Sequence, residues 1–274
     1  MIKGSDQNMN VLVTGIASGI GKALAQIFIN NSHVVYGIDI NESCGIENLH
    51  CFKCDITSTT SLLNVKEYLV NNNIALDMII NVAGIHKMAS LIESNYDEIK
   101  KVIDINLCGT MLVNNTFHSL LKKNGKIVII TSEVASFDPL PFNGLYSVSK
   151  TALESYAQAL RQEMNLLGQK VITFQPGAIE TPLSNSSLVA TEKLAKETIL
   201  YKNQANNFLH LVKNFMGKPI KPDKLAKYIY KKIAKKNPKF TYKIHRNPGL
   251  ILLSILPKRL QCFIVKLLLN KNKK

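Results

Sequence analysis

Asn10-Val-Leu-Val-Thr-Gly-Ile-Ala-Ser-Gly-Ile-Gly21 joins a short apolar run to a turn punctuated by three glycines. The run 10–14 reads as a buried strand. The apolar spacing of 19–30 reads as an amphipathic helix that opens on the turn. Phosphate binding needs glycine here, because glycine permits the tight turn and lets backbone N–H groups approach a pyrophosphate at the positive end of a helix. Three glycines also serve plain packing, so the reading depends on the residues downstream. Asp39 closes the next apolar run, 24 residues after Gly15, where a carboxylate can accept hydrogen bonds from an adenosine ribose.

Outward from this unit the chain alternates. Strands are expected at 33–38, 49–54, 76–82, 126–130 and 171–174, with helices at 58–70, 96–121 and 147–167 between them. The strands are near-continuous apolar runs rather than alternating ones, as strands buried on both faces should be. The pattern predicts an α/β fold of the Rossmann type, a doubly wound parallel sheet of seven strands with helices on both faces. After Pro182 it loosens for some 40 residues. A helix over 222–236 and an edge strand over 240–244 then complete a single domain at 1–246, followed by a separate tail at 247–274.

With 274 residues, 46% hydrophobic and 19% charged, the chain can bury a sizeable core. Its formal charge of +15 is unevenly placed: residues 213–274 hold 18 Lys/Arg against the single acid Asp223. Residues 1–212 hold 16 Lys/Arg and 18 Asp/Glu, so the body is near neutral. No stacking aromatics or recognition motif accompany the basic stretch, which argues against nucleic acid. The first residues carry no apolar leader, so a cytoplasmic protein is expected, with peripheral membrane association as one reading of the tail. Five cysteines do not imply a disulfide framework. Cys51 and Cys54 form a C-x-x-C that Cys44 and His50 could extend to a metal set on paper. The stretch reads instead as ordinary strand cysteines, and no metal is expected.

Further motifs succeed the glycine turn in order. They are Asp55, Asn81-Val-Ala-Gly84, Asn106 three residues before Gly109, Ser132, Tyr146-Ser-Val-Ser-Lys150 and Pro176-Gly-Ala-Ile-Glu-Thr181. Together they resemble the short-chain dehydrogenase/reductase family, strongly over 8–182 and weakly over 218–246. Val82 replaces an asparagine of the family pattern. Ser132 also stands one residue further from Tyr146 than is usual; Thr131 is the second candidate for its place, and Glu133 cannot do the serine's work. The resemblance implies an oxidoreductase that interconverts an alcohol and a ketone or aldehyde, as a homodimer or homotetramer. It implies Asn106, Ser132, Tyr146 and Lys150 as the catalytic set. It implies cofactor binding by Gly15, Ser18, Gly19, Ile20, Gly21, Asp39, Asp55, Ile56, Asn81, Ala83, Gly84, Tyr146, Lys150, Pro176, Ile179 and Thr181. The carboxylate of Asp39 repels a 2′-phosphate and no basic neighbour offers to hold one. NAD(H) is therefore favoured, with NADP(H) as the open alternative.

Tyr146 and Lys150 are i and i+4 on a helix and share a face. A phenol titrates near 10, and lowering it by two or three units needs about 3–4 kcal/mol. One ammonium about 4 Å away at an effective dielectric near 20 supplies about 4 kcal/mol. On this count the lysine suffices, with the positive charge of an oxidised nicotinamide in reserve.

The resemblance also implies a substrate lid over 183–217, where Leu183, Leu188, Ile199, Phe208, Leu209, Leu211, Phe215 and Met216 suit an apolar substrate or plain helix packing. In the tail, 249–256 and 260–269 are apolar, ringed with lysines and split by Pro257. Neither reaches the roughly 20 residues that cross a bilayer. Two readings stand: a basic amphipathic segment on an anionic membrane surface, or a tail packed on its own protein. Two functions stand as well, an active enzyme on a sterol-, retinoid- or lipid-like substrate, or a silent cofactor-binding scaffold at a membrane. The complete catalytic set favours the first.

Overall fold

The computed structural model describes residues 8–42, 45–215 and 218–271, without the side chains of 183–186 and 215. Seven parallel strands run in the order β3-β2-β1-β4-β5-β6-β7. They are β1 (Asn10–Thr14), β2 (Val34–Asp39), β3 (His50–Lys53), β4 (Leu76–Asn81), β5 (Leu121–Ile130), β6 (Lys170–Pro176) and β7 (Thr241–Ile244). Helices α1 (Gly19–Ile29) and α8 (Pro222–Ile233) cover one face, where Leu24, Phe28, Leu225 and Ile229 pack on Val11, Val13 and Ile172. Helices α2 (Thr59–Asn71), α4 (Thr110–Phe117) and α5 (Gly144–Leu166) cover the other, bringing Leu62, Phe117 and Leu153 against Leu12, Ile79 and Ile129. The expected fold class is the observed one.

The strand order reverses between β1 and β4, the place where an open parallel sheet leaves a crevice at its carboxyl edge. Thr14 fixes that edge. Its hydroxyl accepts the backbone N–H groups of Val82 and Ala83, each at 3.1 Å, and so ties the end of β1 to the end of β4.

Three local expectations change. The segment expected to be one helix over 96–121 is α3 (Tyr96–Ile103), a π-helical turn at Asp104–Gly109 and then α4. The π turn fits the close approach of Ile56, which a Cβ at Gly109 would meet at 2.7 Å. Strand β5 begins at Leu121 instead of 126, because Leu121 pairs with Leu76 across a register shift. The loose region after Pro182 is two helices, α6 (Pro182–Glu197) and α7 (Lys202–Phe215). Of the expected lid residues, Met216 and the side chains of Leu183 and Phe215 lie outside the described residues.

The tail forms α9 (Pro248–Ser254) and α10 (Lys258–Leu269), broken where Pro257 lacks an N–H. Among the described residues no helix is long and apolar enough to cross a membrane. The expectation for the C-x-x-C is half corrected. Cys54 is buried and free, but Cys51 is disulfide-bonded; the odd cysteine count still left room for one bridge. Cys44 lies outside the described residues, and among those described no group of three or more His, Cys, Asp or Glu could hold a metal.

Candidate active site

The glycine turn is a cradle that side chains would fill. Gly15 has φ +72°, and a Cβ there would lie 2.9 Å from the Cα of Ala83; on Gly21 it would lie 2.0 Å from the carbonyl oxygen of Gly15. Gly19, at φ +55°, faces Thr181 almost as closely. Ser18 stands at the N-cap of α1 with no side-chain cap bond, and Ile20 lines the cavity beyond. The Asp39 carboxylate accepts the N–H of Ala17 at 3.0 Å and, with its other oxygen, the backbone and side-chain N–H of Asn41. It therefore holds the turn as well as presenting a negative charge beside it. Asp55 accepts Thr57 through one oxygen, and Ile56 is buried beneath Gly109. Asn81 donates to Asn114 but keeps its Oδ1 buried without a hydrogen-bond partner. These backbone donors, the open cradle and the acid at the end of β2 fit a dinucleotide.

Tyr146 and Lys150 lie on the first turns of α5, one helical turn apart as expected. Both are buried, with the Lys150 Nζ 5.8 Å from the centre of the Tyr146 ring and 3.5 Å from the Ile130 carbonyl to which it donates. Ser132, directly after β5, is buried and hydrogen-bonds Tyr146. Thr131 donates its hydroxyl to the Phe174 carbonyl on β6, so it does not compete for the serine's place. Asn106 sits in the π turn. It accepts the Ile85 N–H and donates to the Ile85 carbonyl and to Ser149, which braces the strand end after Gly84 against α5. Gly84 leaves the gap between them: a Cβ there would meet Asn106 Oδ1 at 3.0 Å and Lys150 Nζ at 3.4 Å.

The electrostatics differ from the sequence expectation. Burial pushes the Tyr146 phenol up to about 12, its hydrogen bond with Ser132 opposing and the Glu133 carboxylate adding to the rise. Burial also takes the Lys150 ammonium down to about 8. In the protein alone, desolvation outweighs the lysine, since a charge in a closed site loses its hydration without a counter-ion to replace it.

One residue near the site, His86, escaped the sequence reading, and the role of another, Glu133, was not foreseen there. Glu133 is buried, its carboxyl pushed up by that burial, and its Oε2 accepts the Asn247 N–H at 2.7 Å. It thus latches the start of the tail beside Ser132. His86 packs its ring 4.3 Å from that of Tyr146, and its Nδ1 lies 2.8 Å from Ser187 Oγ on α6. Burial takes the imidazole down from 6.5 to about 4, against the contact of Asn143 and with the help of Lys150. No spacing rule marks His86, and the spacing that marks Glu133 is that of the serine whose work it cannot do.

The depressed His86 has a consequence for stability. Between these two values the unfolded chain binds a proton that the folded protein refuses, so stability falls as the pH drops through that window. Urea denaturation should lose most of about 3 kcal/mol on going from pH 7 to pH 4.5 through this group. His86→Gln should remove that part of the slope.

A cavity of about 860 Å³ opens from Ser132, Tyr146 and Gly84 and is lined mainly by apolar groups. Its far wall belongs to α7, α9 and α10, with Phe208, Leu211, Leu250, Leu253, Val265 and Leu268. The tail is seated there by more than apolar contact. Asn207 donates to the Leu269 carbonyl, Gln204 to Asn270, and Gln261 to Asp138. The reading of a tail packed on its own protein describes this face. The opposite face is also apolar, with Leu252 64%, Ile255 72%, Phe263 56% and Leu267 52% exposed.

A parallel sheet that switches direction above a glycine cradle, with a buried tyrosine and lysine at its carboxyl edge, defines a dinucleotide-dependent oxidoreductase of the α/β type. The chain belongs to the short-chain dehydrogenase family, whose model matches residues 9–191, and it is accordingly an enzyme acting on CH–OH donors. It is 28% identical over 236 residues to a 3-ketodihydrosphingosine reductase of Bacteroides thetaiotaomicron, covering 85% of this chain and 87% of that one. It is 32% identical over 202 residues to an NADPH-dependent 1-acyldihydroxyacetone phosphate reductase of Schizosaccharomyces pombe, covering 70% and 67%. Among solved structures, a short chain dehydrogenase family protein from Francisella tularensis superposes with a TM-score of 0.71 at 27% identity, over 87% of this chain and 96% of that one.

Proposed function

We propose that the protein interconverts an alcohol and its ketone or aldehyde on a long apolar molecule, using NAD(H). The observation that carries this reading is the large aliphatic cavity that ends on Ser132 and Tyr146. The B. thetaiotaomicron and S. pombe relatives bear the names of reductases of lipid-like substrates, which agrees with it. The bound dinucleotide supplies the hydride acceptor or donor. The backbone of Gly15, Ser18, Gly19, Ile20 and Gly21 holds its phosphates, and Asp39 its adenosine ribose. Asp55 and Ile56 border the adenine. Asn81, Ala83, Gly84, Pro176, Ile179 and Thr181 line the approach to the nicotinamide.

Ser132 holds the substrate oxygen and Tyr146 gives or takes the proton there. Lys150 holds the nicotinamide ribose and keeps positive potential at the phenol. Asn106, already braced against Ile85 and Ser149, supports the water through which the proton passes on. The assembly we infer is a homodimer or homotetramer. The exposed apolar face of α9 and α10, flanked by Lys258, Arg259 and Lys266, rests on an anionic membrane surface.

The test is turnover with NADH on a series of methyl ketones of rising chain length. We expect kcat/KM to climb with each added methylene, toward the limit of about 0.8 kcal/mol per buried CH₂. A flat profile would overturn the apolar substrate. For the cofactor, Asp39→Ser should move the NADH:NADPH preference in kcat/KM toward NADPH by about tenfold, equivalent to about 1.4 kcal/mol. An unchanged ratio would remove the argument from Asp39. The S. pombe relative, named as NADPH-dependent, marks the alternative.

A further inference from the structure

The apolar cavity has one polar corner. His86, Asn143 and Ser187 meet beside Tyr146, and all three line the cavity. Asn143 stands at the N-cap of α5, where an asparagine side chain ordinarily accepts a backbone N–H of the first turn. Here it makes no cap bond. Its Oδ1 is buried and makes no regular hydrogen bond, although the side chain lies near enough to His86 to favour the protonated imidazole. A buried acceptor held away from the backbone donors it would normally serve calls for a donor from outside the protein. His86 lies on the other side of the same corner, with its ring against the tyrosine and its Nδ1 on Ser187, the residue that brings α6 over the site.

We propose that this corner reads a second polar group on the substrate, a hydroxyl or amine on the carbon next to the reacting one, with Asn143 Oδ1 accepting its hydrogen and His86 fixing its position. The inference rests on the proposed function and narrows its substrate class to carbonyl compounds with an apolar chain on one side and a hydrogen-bond donor on the other. His86 sits close enough for this role. Its ring touches that of Tyr146, and the reacting oxygen must lie within hydrogen-bond reach of the tyrosine hydroxyl, so a donor on the adjacent carbon is within a few ångströms of this corner. A site built to bond a substrate hydroxyl rejects the analogue that lacks it, because its own buried polar atoms are then left unmatched.

The experiment compares decyl methyl ketone with decyl hydroxymethyl ketone, using NADH and the full-length protein. The wild type should prefer the hydroxymethyl ketone by about tenfold or more in kcat/KM. His86→Leu and Asn143→Ala should each bring the ratio to within about threefold of unity, whereas His86→Gln, which keeps a donor and an acceptor, should retain most of the preference. Cofactor binding, followed by NADH fluorescence, shows that each variant is folded; if the leucine variant does not bind, Asn143→Ala carries the same expectation. Turnover of both ketones at one ratio in wild type and variants would overturn this inference alone. Absence of turnover on either ketone in the wild type would overturn the proposed function, and the inference with it.

Discussion

Tyr146→Phe should lower turnover by about a thousandfold or more, at the upper part of the range for general acid–base groups, while NADH binds within about threefold of the wild type. Phenylalanine keeps the ring that packs at 4.3 Å on His86 and removes only the hydroxyl that Ser132 bonds. The site loses the proton and retains its shape. The size of the effect reflects the isolation of the phenol. Lys150 and Ser132 flank it, and Tyr146 is buried. Measured turnover near the wild-type value would remove Tyr146 from the reaction.

The state of the phenol sharpens this expectation. Burial pushes the Tyr146 phenol up to about 12 and takes the Lys150 ammonium down to about 8. A positive nicotinamide ring held beside Tyr146 would favour the phenolate.

Deletion of residues 248–274 should lower kcat/KM for a long-chain ketone by about a hundredfold or more and for acetone by less than about fivefold. The tail contributes Leu250, Leu253, Val265 and Leu268 to the cavity wall. Taking that wall away returns about four methylenes of a bound chain to water, about 3 kcal/mol at about 0.8 kcal/mol each. The sheet, the glycine cradle and the tyrosine lie outside the deleted segment, so the short ketone should be little affected. The same deletion should abolish co-flotation with vesicles containing anionic phospholipid, which the full chain should show and lose at high salt. Equal losses for both ketones would mean that the tail supports the fold instead of the substrate. Equal flotation of both proteins would dispose of the membrane surface.

Most of the scaffold was legible because its signals are local. Continuous apolar runs 10–14, 76–82 and 126–130 mark strands buried on both faces. A helix spaces Tyr146 and Lys150 at i and i+4 wherever it lies in the molecule. The π turn at Asp104–Gly109 is not legible because a helical apolar pattern continues through it, and only Ile56, brought up beneath Gly109, marks the place. The helices of 182–215 were hidden by a weaker alternation among many polar residues.

From the sequence by itself came the doubly wound sheet, the glycine cradle and the tyrosine–lysine pair, all encoded within windows of a few residues. The tertiary structure alone decided that Glu133 latches Asn247 across 114 residues, that His86 meets Ser187 across 101, and that the tail walls the cavity. It also decided the ionisation of the pair. Spacing along a helix reports who can meet, but the cost of charge depends on how much water the whole fold excludes, and no short stretch of sequence carries that quantity.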